Sequence, residues 1–202
     1  MNTSPDDFNT SSHRNRKTWR LPQTPYMPTH PPLTFWLTGL PGSGKTTTST
    51  AFAKKIRESG MGACIIDGDE LRSGLCNDLG FDAADRAENM RRAAHMAKIL
   101  NMNGIHAIVA MVSPYTADRD AAYEIIGNNQ CIEVHVSTPL HVCEKRDPKG
   151  LYAKARANPK AQMTGIQSPY EAPSSPDLVI ETSHTDVSTS VSKLFSFFNL
   201  HN

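Results

Sequence analysis

No sign of charge prevails in this sequence: 21 Lys and Arg stand against 20 Asp and Glu in 202 residues. Without a basic excess there is no electrostatic track for a phosphate backbone, which argues against a nucleic acid partner. Long apolar runs are missing too. The longest, residues 105–112, contains His106 and falls far short of the ~20 residues that cross a bilayer, so no membrane attachment by a spanning helix is expected. Cysteine is scarce and scattered. Cys64, Cys76, Cys131 and Cys143 form no CxxC pair, which fits reduced thiols better than zinc ligands or a disulfide framework. Residues 1–33 lack the apolar core of a secretory signal, and Asp6 and Asp7 oppose a transit peptide, so the expected compartment is the cytoplasm.

What is present divides the chain in two. Pro5, Pro22, Pro25, Pro28, Pro31 and Pro32 lie among polar residues, a mix that opposes both helix and central strand and predicts a flexible, proline-rich tail over 1–33. A single domain is expected over 34–202. It opens on Thr34-Phe35-Trp36-Leu37-Thr38, a β-branched and aromatic run that reads as a buried strand. Helical segments are predicted at 46–57 and 84–101, and further short strands at 62–66, 105–111, 131–136 and 178–181. Strands separated by helices imply an α/β architecture in three layers, with a mostly parallel five-stranded sheet, because parallel neighbours need long crossovers.

Gly39-Leu40-Pro41-Gly42-Ser43-Gly44-Lys45-Thr46 satisfies GxxxxGK[ST] between a predicted strand and a predicted helix, which is the context of a phosphate-binding P-loop. Glycines let backbone N–H groups turn toward phosphate oxygens, and the helix that follows aims its positive end at them. Lys45 adds a full charge. Thr46 puts a hydroxyl where Mg²⁺ on the β- and γ-phosphates of ATP can take it as a ligand, and Thr47 continues the cradle. The loop alone is shared by kinases, hydrolysing switches and motors.

Asp67-Gly68-Asp69 closes the second predicted strand, and the carboxyl ends of strands face the ligand crevice in such sheets. A carboxylate there can either take the proton of a hydroxyl acceptor or partner the Mg²⁺ water shell. Arg72, Arg86, Arg91 and Arg92 follow, mixed with Asp78, Asp85 and Glu88, so some of them pair on helix faces. Residues 146–156 form a denser basic patch with Pro and Gly punctuation and no apparent apolar stripe. This patch reads as a mobile lid that closes cations over a transferring phosphoryl group.

Beyond the P-loop, the blocks Phe35 to Leu40, Asp67-Gly68-Asp69, Gly74 to Phe81, Arg146 to Tyr152, Thr164-Gly165-Ile166 and Tyr170 to Pro173 together resemble the adenylyl-sulfate kinase family. The resemblance runs from about Phe35 to near Thr182 and leaves the tail outside. It implies a P-loop NTPase fold in which ATP, with Mg²⁺, phosphorylates the ribose 3′-hydroxyl of adenylyl sulfate, usually in a homodimer. It also implies residue roles. Lys45, Asp69, Ser113 and Lys149 form the catalytic set, Asp69 orienting or deprotonating the acceptor hydroxyl and Ser113 being a site-lining serine that some members phosphorylate. Arg72, Arg86 and Asn89 bind the phosphosulfate and nucleotide. Phe81 and Met163 face the base, and Lys149 and Arg156 are the lid cations. Ser73, Thr116 and Met163 stand where the family more often has an aromatic or His, an Arg and a Phe, and the tail lacks the cysteine of the plant redox bridge. These departures define the alternative, a paralogous P-loop kinase acting on a different nucleotide diphosphate derivative.

Overall fold

The computed structural model describes residues 31–158 and 160–201; all but the last three residues of the expected tail lie outside them. Among the described residues, β1 (Thr34–Thr38), β2 (Ala63–Asp67), β3 (His106–Ala110), β4 (Cys131–Val136) and β5 (Leu178–Ile180) form one parallel sheet. Its order is β2-β3-β1-β4-β5. From central β1 the chain crosses to the edge strand β2, returns through β3 beside β1, and then passes to β4 and β5 on the other side, so the connections leave β1 in both directions. Its carboxyl end, where the phosphate-binding loop begins, is therefore the switch point at which such sheets bind ligands.

β1 is buried along its whole length, and alternation sends its side chains to opposite faces. Phe35 and Leu37 join the core under α1 (Lys45–Glu58) and α7 (Val187–His201), with the Phe35 ring 4.9 Å from Phe52 and 6.1 Å from Phe198. Trp36 enters the second core, under α3 (Ala83–Met102) and α4 (Thr116–Ile126), where its ring lies 6.0 Å from Tyr123. The strand's polar groups are used as well: Thr34 Oγ1 donates to Asn101 Oδ1 at 2.6 Å and Trp36 Nε1 to Ser113 Oγ at 2.9 Å. Three short helices complete the layers: α2 (Gly68–Ser73), α5 (Leu140–Arg146) and α6 (Leu151–Ala157). No helix among the described residues is long and apolar enough to cross a membrane.

Two expectations need adjustment. Leu33, read as the end of the tail, is 3% exposed and its N–H donates to His106 Nδ1 at 3.0 Å, so the core begins before residue 34. Burial pushes the His106 imidazole down to about 4, which keeps it neutral and able to accept that bond. Segment 146–156 does have an apolar stripe. Tyr152 and Ala155 are both buried on one side of α6, and Tyr152 Oη donates to Pro41 O at 2.9 Å, so this segment packs directly on the P-loop. Two residues three apart are too short a signal to stand out in a run of lysine and arginine.

Candidate active site

The N-terminus of α1 carries no side-chain cap and no acidic residue in its first turn, so its backbone donors are left for a ligand. Gly42, at φ 75°, turns the loop where a side chain would meet Cys143 O at 3.1 Å. Lys45 folds back over the loop, with Nζ 2.8 Å from both Gly39 O and Leu40 O. Burial lowers its ammonium from the usual lysine range to about 8.

β2 ends beside this loop. Asp67 caps α2 by accepting from Asp69 N at 2.9 Å through Oδ1, while its Oδ2 accepts from Thr46 Oγ1 at 2.8 Å. One carboxylate thus links the P-loop hydroxyl to the turn that presents Asp69. Asp69 in turn holds the ammonium of Lys149 from the 146–156 segment, and this bond raises the Lys149 pKa.

Arg72 and Arg86 gather on the far side. Arg72 lies 4.5 Å from the Phe81 ring centroid and donates to Gly80 O at 2.5 Å; with the Asn89 amide turned so that its oxygen faces the guanidinium, it also donates there at 3.1 and 3.2 Å. Arg86 donates to Phe81 O at 2.8 Å and, across the cleft, to Gln162 O at 3.0 Å. The Phe81 ring is 60% exposed, an unusual state for phenylalanine that suits a stacking face awaiting a partner. Met163 lines the same cleft, as do Ser113 and its neighbours Val112 and Pro114. By contrast, Arg91 and Arg92 are taken up in pairs with Glu88 and Asp78, bonds that hold Glu88 down to about 2.

All these groups border one cleft of about 1040 Å³, which holds Gly42, Gly44, Lys45, Thr46, Thr47 and Asp69 along with Arg72, Phe81, Arg86, Asn89, Ser113, Lys149 and Met163. Three sequence candidates stand outside its lining. Gly39 contributes its carbonyl to Lys45, and Ser43 is fully buried with its carbonyl accepting from Thr138 Oγ1 and Thr182 Oγ1 at 2.9 and 2.8 Å. Arg156, expected as a lid cation, pairs with Glu144 at 2.5 Å, whereas Lys154 lines the cleft. On a helix, neighbours two apart point to different sides.

The sequence candidates omitted the end of the cleft beside α7. Arg146, Thr182, Asp186 and Val187 line it, and Arg146 donates to Thr182 Oγ1 and O at 2.7 and 2.6 Å. Only Arg146 carried any signal, as a member of the basic patch. Thr182 lies just beyond the end of β5, and Asp186 and Val187 at the start of α7, where a ligand site and an ordinary loop or helix start look alike in sequence.

Residues 31–181 match the family model for adenylylsulphate kinase. An adenylyl-sulfate kinase of Shewanella amazonensis is 49% identical over 162 residues, 80% of this chain and 82% of the relative. That of Shewanella oneidensis is 48% identical over 166 residues, 82% of this chain and 81% of the relative. Among solved structures, the APS kinase CysC of Mycobacterium tuberculosis in complex with AMPPNP and APS superposes with a TM-score of 0.81 at 41% identity, over 84% of this chain and 99% of that one. With both the matched residues and the sheet carried over nearly the whole described length, the chain belongs to the adenylyl-sulfate kinase family and is an ATP-dependent kinase of that class.

Proposed function

We propose that this chain transfers the γ-phosphoryl group of ATP to the ribose 3′-hydroxyl of adenylyl sulfate, giving ADP and 3′-phosphoadenylyl sulfate. One observation carries the assignment of roles: a single cleft has a P-loop at one end, an Arg72–Phe81–Asn89 cluster at the other, and Asp69 with Lys149 between. ATP takes the P-loop end, its phosphates on the α1 N-terminus and Lys45 and its base toward Arg146 and Val187. Adenylyl sulfate takes the arginine end, where guanidinium groups meet the phosphosulfate and the base lies between Phe81 and Met163. Asp69 sits at the junction and serves the acceptor hydroxyl.

The donors Thr46 Oγ1 and Asp67 Oδ2 are both oxygen, the chemistry Mg²⁺ prefers, and Mg²⁺ usually takes one or two protein ligands besides waters and phosphates. These two residues would hold it. When bound it neutralises charge on the transferring phosphate. We place the protein in the cytoplasm, which suits its four free cysteines, and read its assembly as a homodimer.

Coupled ADP release with adenylyl sulfate, other nucleotides and water as acceptors tests the reaction, and turnover restricted to another nucleotide would favour the paralogue reading. Lys45 adds a pH signature. Its ammonium loses the proton as pH rises through about 8, so kcat/KM for ATP is expected to fall above that point, approaching about tenfold per pH unit. A profile flat to about pH 10 would show that the free enzyme does not use this charge. Met163 separates the acceptor readings. Met163→Phe is expected to tighten adenylyl sulfate by up to about tenfold through base stacking, with the ATP constant nearly unmoved. Crowding, seen as a higher acceptor KM, would mean that this pocket is shaped for a different base.

A further inference from the structure

We infer that Arg119, which lies outside the cleft, is a positioning residue that sets the acceptor wall through Ser113; the assignment rests on the acceptor placement proposed above. Arg119 is 1% exposed, and a guanidinium buried that deeply is tolerated only when its donors are satisfied. They are used on three elements. Nε pairs with Glu133 on β4 at 2.9 Å, Nη1 donates to Ser113 O at 2.9 Å, and Nη2 to Thr116 Oγ1 at 3.2 Å, at the start of α4. Glu133 is itself fixed by Tyr123 Oη at 2.9 Å.

The middle of these contacts bears on the site. Ser113 has φ 49°, in the left-handed region that a residue with a Cβ disfavours, so it needs outside restraint to stay there. The restraint comes from three directions. Arg119 holds its carbonyl at 2.9 Å, Thr38 Oγ1 is shared between the Val112 and Ser113 carbonyls at 2.8 and 3.3 Å, and Trp36 Nε1 holds its hydroxyl at 2.9 Å. Val112 and Pro114, on either side of this pinned residue, form cleft wall together with Ser113. Releasing the carbonyl lets the backbone relax and moves the wall against the acceptor, while the P-loop, which meets the wall through the long Gly39 N–H to Val112 O bond at 3.4 Å, is braced at Ser43 by Thr138 and Thr182. Arg119 therefore acts chiefly on acceptor binding rather than on ATP.

The test is steady-state kinetics of the full chain with both substrates varied, alongside thermal denaturation. Arg119→Lys keeps a cation for Glu133 but loses the fork that reaches Ser113. It is expected to raise KM for adenylyl sulfate on the order of tenfold to a hundredfold, the range for a small misplacement at a reacting site, with KM for ATP unchanged. Thr38→Val removes the hydroxyl shared by the Val112 and Ser113 carbonyls of the same wall and is expected to shift acceptor KM in the same sense; it decides the question if Arg119→Lys does not fold. A purely structural arginine would lower kcat in step with the folded fraction and leave both KM values alone, and that result overturns the assignment. The parent is measured in the same series: absence of adenylyl sulfate turnover removes the proposed function together with this role, whereas turnover with unmoved acceptor KM removes the role alone.

Discussion

Replacing Lys45 by alanine is expected to leave a folded domain in which phosphoryl transfer falls by at least about 10³-fold, the scale for removing a cation that answers transition-state charge on phosphate. The fold should survive because Lys45, though buried, lies in neither apolar core. Its ammonium bridges Gly39 O and Leu40 O at the edge of an open cleft, where water can replace it. The loop keeps its shape by other means: the Ser43 carbonyl is held by two threonine hydroxyls, and Pro41 O by Tyr152. Chemistry, by contrast, has no substitute at this position. Two other cleft cations are already engaged, Lys149 with Asp69 and Arg146 with Thr182. A thermal melt close to the parent's, together with lost ADP release, would bear this out. Near-normal turnover in a folded variant would end the P-loop argument.

The sequence was most legible where local chemistry and fold ask for the same residues. Thr34–Thr38 and Cys131–Val136 have the bounds their apolar and β-branched runs predict, and the P-loop joins a strand to a helix as its glycines require. The adenylyl-sulfate kinase family was legible too, from blocks spread along the domain. Direction was not. Lys154 and Arg156 are equivalent as letters, yet one faces the cleft and the other Glu144, because α6 turns Tyr152 and Ala155 inward and so fixes where every other side chain points. Nothing in Ala117-Asp118-Arg119-Asp120 singles out Arg119, and its partner Glu133 is on a strand whose neighbour in the sheet is set by topology. Pairings of that kind depend on the strand order, which local pattern does not contain.

Asp69→Asn is the sharper of the two large tests, because it removes charge and basicity with almost no change of shape. The helix cap should persist, since Asp69 contributes to it through its backbone N–H, donated to Asp67 Oδ1. ATP should still bind, because the P-loop contacts are separate. The transfer rate is expected to fall by a factor on the order of 10² to 10⁴, the cost of losing a positioned acid–base group. A variant that fails because ATP no longer binds would reassign Asp69 to structure or metal. The bond to Lys149 leaves a second possibility, that Asp69 serves only to hold that ammonium over the phosphate. Lys149→Met resolves it. If holding Lys149 were the whole role, the two single variants would lose similar rate and the double variant no more, since each breaks the same pair. If Asp69 works on the acceptor hydroxyl, Asp69→Asn is expected to cost a further factor of at least about 10² in the Lys149→Met background. Single-turnover rates with ATP prebound, measured across the four enzymes, decide between the two, and a double variant no slower than Lys149→Met would strip Asp69 of its proposed chemistry.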